Sequence, residues 1–119
     1  MPNTATHLGQ AHHNEQFFLC FDRRVYSDWA ATTIFYAALH YIDAFLAHVG
    51  ISDPGGHDVR DDLVATRPEL VPVSRDYFRL KSRSRNARYY ARRFPLQEID
   101  TCRNTYLENI RNHIQGLIP

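Results

Sequence analysis

With 119 residues, 44% hydrophobic and 23% charged, the chain has material for one domain with one core, and is too apolar for a disordered segment. No uninterrupted apolar run reaches the roughly 18 residues that a membrane span needs, and Met1-Pro2-Asn3-Thr4-Ala5-Thr6-His7 lacks the basic-then-apolar order of a secretory signal. The expectation is a single soluble domain of the cytoplasm with no membrane association. The net charge of +1 conceals a strong polarity: residues 1–74 carry −5, residues 75–93 carry +7 and residues 94–119 carry −1.

Helical periodicity runs through the whole sequence, and no window has the strict alternation of a half-buried strand. A first helix is predicted over about 4–21, with His7, Ala11, Glu15, Phe18 and Asp22 near one face. Ser27 or Asp28 is suited to cap a second, and Gly50 to end it, ahead of the turn Ser52-Asp53-Pro54-Gly55-Gly56. Between them Ala31, Ile34, Phe35, Ala38, Ile42, Phe45 and Val49 share a face, while Trp29, Thr33, Tyr36, His40, Asp43 and Ala47 form an opposite one. A helix so apolar all round belongs at the centre of a fold.

A short third helix over about 57–65 is predicted to break at Arg67-Pro68 and again at Pro72. Ser74 is placed as the cap of a fourth helix running to Arg92, and Pro95 in the first turn of a fifth, whose stripe is Leu96, Ile99, Arg103, Tyr106, Ile110, His113 and Leu117. Four long helices and one short one make an all-α antiparallel up-and-down bundle. Cys20 and Cys102 fall inside predicted helices, and are read as two buried free thiols rather than a disulfide.

Three constellations have the residue types for chemistry. Tyr36, His40 and Asp43 set an imidazole one turn from a phenol and a carboxylate, which is either an oriented acid–base or a core histidine satisfied by its neighbours. His57 and Arg60, one turn apart behind Gly55-Gly56, open a helix either as an anion site or as an ordinary surface start. His40, Asp43 and His57 offer at most three metal ligands without a two-helix Glu-x-x-His pattern, so no metal and no cofactor is expected.

The third constellation is the basic block. On a helix reaching Arg92, Lys81, Arg85, Arg88 and Arg92 form one row beside Tyr89, with Tyr90 further round, and Arg75, Arg79 and Arg83 form another. Arginine forks suit phosphate and tyrosines stack on bases. The rival use for such a row is pairing with acidic partners, Asp58, Asp61 and Asp62 included. No Gly-rich phosphate loop, Ser-His-Asp-like spacing or cysteine-nucleophile context is present.

The segments Phe35-Tyr36-Ala37-Ala38-Leu39-His40, Ala44-Phe45-Leu46 with Gly50, His57, and Arg83-Ser84-Arg85-Asn86-Ala87-Arg88-Tyr89 resemble the HEPN family of helical domains in prokaryotic defence and toxin systems. The resemblance spans roughly residues 4–115 in helix order. It implies an RNA- or nucleotide-binding bundle of a defence or toxin–antitoxin system, paired as a homodimer, with a partner protein encoded nearby. Catalytic HEPN ribonucleases share an Arg followed, after four to six residues, by His, and none of the seven histidines here has an Arg at that distance. A metal-independent endoribonuclease would therefore need a rearranged site, for which His40, His57, Arg83 and Arg88 are the candidates. Phosphate binding falls to Lys81, Arg85, Arg88, Arg92, Tyr89 and Arg60. A non-catalytic protein-interaction bundle is the alternative.

Overall fold

The first helix, α1 (Thr4–Phe18), opens on Asn3, whose Oδ1 accepts the Thr6 amide at 2.9 Å. It stops three residues short of the predicted end, so Leu19 and Cys20 lie in the turn that follows and Cys20 is exposed rather than buried. The computed structural model describes residues 2–52 and 54–119, leaving Asp53 of the predicted turn outside the described residues. All secondary structure among them is helical.

The second helix, α2 (Ser27–His48), is the axis of the fold. Ser27 is not its cap: the residue is buried in the first turn, and its Oγ accepts the Phe94 amide at 2.9 Å. The other end follows the sequence. Gly50 has φ 94° and donates to Ala47, and Ile51 donates to Leu46, the paired closing bonds that a left-handed residue permits. From Ala30 to Leu46 nearly every side chain is buried. The helix is long and apolar enough to cross a membrane, but 83% of its most apolar window lies inside the protein, as a core helix requires.

The third helix, α3 (His57–Thr66), ends at Arg67, held extended ahead of Pro68. The fourth, α4 (Val71–Tyr90), starts four residues earlier than predicted. Pro72 occupies its first turn, where a missing N–H breaks no helical bond, and Ser74 donates from inside the helix to the Val71 carbonyl instead of capping it. The helix closes on Ala91 with φ 50°, where the Ala91 and Arg92 amides both bond the Asn86 carbonyl. Arg92 is therefore off the helix, and the predicted four-residue row loses its last member.

The final rod joins α5 (Leu96–Thr101), a π-helical stretch (Cys102–Leu107) and α6 (Glu108–Leu117). Its buried residues are Ile99, Cys102, Leu107, Ile110 and Ile114. The wide turn inserts a residue between Cys102 and Leu107, so Arg103 and Tyr106 of the predicted stripe move to its flanks and the inward face resumes at Leu107. Consecutive long helices run antiparallel: Thr4 and His7 meet Ala44 and His40, Ser27 and Phe45 meet Phe94 and Arg67 at opposite ends of α4, and Arg79 and Arg83 meet Tyr106 and Glu98. The result is the expected all-α bundle, with α1, α4 and the last rod packed around α2 and α3 packed on α4.

The two cysteines are both free and in opposite environments. Burial pushes the Cys102 thiol up to about 11, while Cys20 sits at the surface. Since the thiolate is the reactive form, an aromatic disulfide reagent is expected to titrate one thiol per chain rapidly in native buffer and two in denaturant. Two rapid thiols in the native protein would contradict this packing.

Candidate nucleic-acid interface

Packing α3 against α4 leaves a cleft of about 520 Å³ lined by Phe35, His57, Asp58, Lys81, Arg85, Arg88, Tyr89 and Tyr90. Five of these, His57, Lys81, Arg85, Arg88 and Tyr89, are residues that the sequence singles out for chemistry or phosphate binding. They converge because Lys81, Arg85 and Arg88 project from successive turns of α4 toward the start of α3.

The cations are not equivalent. Lys81 is paired with Asp61 of α3, so one predicted ligand is already neutralised. Arg85 is exposed and has no carboxylate partner among the described residues. Arg88 bonds neutral groups, the Tyr36 hydroxyl at 2.5 Å and the Ser84 carbonyl at 3.4 Å, and its guanidinium lies 5.4 Å from the Tyr36 ring centre and 5.3 Å from that of Tyr89. These contacts orient the group and leave its charge uncompensated. Tyr89 and Tyr90 are each 69% exposed, which leaves the Tyr90 ring and the side of Tyr89 away from Arg88 open to stack on a ligand.

The remaining candidates are employed elsewhere. Arg83 bonds Glu98 at 3.0 Å and, like Arg79, stacks over Tyr106, so these two members of the second row tie α4 to the last rod. Arg92 stacks over Phe94. Arg60 reaches α2, donating from Nε and Nη2 to the two oxygens of Asp43 at 2.7 and 2.9 Å. Burial disfavours its charge, but the Asp43 bonds outweigh that and raise its pKa above the ordinary value. Its Nη1 lies 3.3 Å from His57 Nδ1. An arginine can only donate, so in this contact Nδ1 is the acceptor.

His40 is drawn away from this cleft. Its Nδ1 is 3.1 Å from Nδ1 of His7 on α1, with the ring centres 5.3 Å apart. Burial, then the His7 ring, holds its pKa below the usual imidazole value. Asp43 completes a group in which His7, His40 and Asp43 present donor atoms within 4.8 Å of one another. The sequence places His7 on the inner face of its helix, but nothing in the one-dimensional pattern pairs it with His40. Of the four catalytic candidates, then, His57 and Arg88 share a cleft, His40 joins His7, and Arg83 joins Glu98.

At the corner between α1 and α2, Phe17, Phe21, Tyr26 and Trp29 line an apolar hollow of about 350 Å³. Phe17, Tyr26 and Trp29 are each more than half exposed. No protein-family model, curated protein or solved structure matches this chain.

Proposed function

We propose that the protein binds a phosphate-bearing polymer or nucleotide, single-stranded RNA in the first instance, in the cleft between α3 and α4. The observation that carries this reading is the pair Arg85 and Arg88, two uncompensated guanidinium groups beside two exposed tyrosines and the His57 imidazole. Planar guanidinium forks match phosphate oxygens, and an aromatic face stacks on a base with a contribution of about 1–3 kcal/mol. Lys81 adds less, because a ligand must compete with Asp61 for it.

Membership of a HEPN-like defence or toxin system is part of the same reading and rests on the sequence segments quoted above. So does a homodimer, for which the exposed aromatic corner at Phe17, Tyr26 and Trp29 offers apolar surface. Light scattering is then expected to give twice the 13.9 kDa chain mass. A strictly monomeric particle at every concentration removes the dimer from the proposal.

Binding without cleavage is the preferred form, since two of the four catalytic candidates are tied to partners outside the cleft. A labelled single-stranded RNA, incubated with the protein at low salt with and without EDTA, is expected to be retained intact. Cleavage in both arms would establish the ribonuclease reading instead, and no retention would refute both.

A further inference from the structure

We propose that His7, His40 and Asp43 form a binding site for one zinc-class divalent ion at the α1–α2 interface, distinct from the phosphate cleft. Two imidazole nitrogens bound to a tetrahedral zinc at about 2.0–2.1 Å stand about 3.3 Å apart. Nδ1 of His7 and Nδ1 of His40 are already 3.1 Å apart, so the pair accepts an ion with a shift of a few tenths of an ångström. The contact also requires that at least one Nδ1 carry no proton, which leaves a lone pair facing the other ring.

The third donor is held in place independently. Both Asp43 oxygens accept from Arg60, but each keeps a second lone pair, and ligating carboxylates are commonly fixed by such outer bonds. The helices that bring the donors together are pinned on either side of them: Thr4 donates to the Ala44 carbonyl at 3.1 Å, and Tyr41 bonds Glu15. His7 and Asp43 are buried and His40 only partly so, which leaves the group open to solvent on one side. Two imidazoles and one carboxylate favour zinc, cobalt or nickel over magnesium or calcium, and three protein ligands leave a fourth position for water.

The test uses the full chain, stripped of metal with a chelator, and titrated with Co2+ and Zn2+ while absorption and calorimetry are followed. One Co2+ per chain with a tetrahedral absorption band, displaced by Zn2+, is the expected result. His7→Gln and His40→Ala are each expected to weaken binding at least tenfold, as is Asp43→Asn. Zinc should raise the melting temperature of the wild type and not that of His7→Gln. Circular dichroism of each variant identifies any that fails to fold. His40→Ala, at the partly exposed position, serves as the second variant if His7→Gln is one of them. Absence of Co2+ and Zn2+ binding by the wild type overturns the proposal. So does binding that survives in the histidine variants, since it would then belong to histidines outside this group. Neither outcome bears on RNA binding, because no cleft residue is involved.

Discussion

Replacing Asp43 with Ala is expected to destabilise the protein by about 3–5 kcal/mol, the usual consequence of stranding one member of a buried ion pair. The side chains of Asp43 and Arg60 are only 8% and 11% exposed, and two bonds join them across α2 and α3. Removing the carboxylate leaves a guanidinium that has lost its counter-charge and cannot reach water freely. Denaturant unfolding of Asp43→Ala, Arg60→Ala and the double variant checks the origin of the effect. The double variant is expected to lose markedly less than the sum of the two single losses, because the second change removes the stranded charge left by the first. Additive losses, or a single loss below about 1 kcal/mol, would show that the pair does not join α3 to the core.

The second large effect lies in the core face of α2. Ile42 is fully buried and Phe45 is 2% exposed, both inside the cluster shared by α1, α4 and the last rod. Truncating either to Ala removes buried apolar surface and leaves a cavity, at an expected cost of about 2–5 kcal/mol for Ile42 and 3–5 for Phe45. Arg67, whose guanidinium lies 5.6 Å from the Phe45 ring centre, loses a contact in the second case. Losses well under 1 kcal/mol at both positions would mean that this face of α2 does not carry the core.

The elements that sequence reading located best are those fixed by local chemistry. Gly50 ends α2 because its left-handed conformation suits a residue without a side chain, and Arg67-Pro68 ends α3 because proline disfavours a helical predecessor. Local rules mislead where two of them compete. Pro72 reads equally as a breaker and as a first-turn residue, and only the docking of Val73 and Tyr77 into the core decides for the second. The predicted stripe of the last helix has a constant pitch, and the wide turn at Cys102–Leu107 is a register change that an amphipathic pattern does not announce.

The site divides in the same way. Lys81, Arg85 and Arg88 were legible as neighbours because three- and four-residue steps put them on one helix face. Arg92 dropped out when Ala91 turned left-handed. Whether a cation is free or neutralised depends on partners 15 to 20 residues away, as with Arg83 on Glu98, Arg60 on Asp43 and Lys81 on Asp61. The net charge gives the block its sign, but packing decides that Arg85 and Arg88 are the cations that line the cleft without a carboxylate partner among the described residues. His7 is the extreme case, meeting His40 across 33 residues with no local signal at all.

The most direct test of the phosphate-binding account is the salt dependence of single-stranded RNA binding by the wild type and by Arg85→Ala/Arg88→Ala. Each phosphate contact on a single strand contributes about 0.7 to the slope of log affinity against log salt. Loss of both guanidinium groups is therefore expected to lower the slope by about 1–2 units and to weaken binding at every salt concentration. Arg83→Ala removes the same kind of charge from the Glu98 contact and is expected to change the slope less. The melting temperature of the double variant should stay close to that of the wild type, since Arg85 is exposed and Arg88 is bonded only to neutral groups. A folded double variant with the wild-type slope would contradict the account, as would a wild type that fails to bind RNA at low salt.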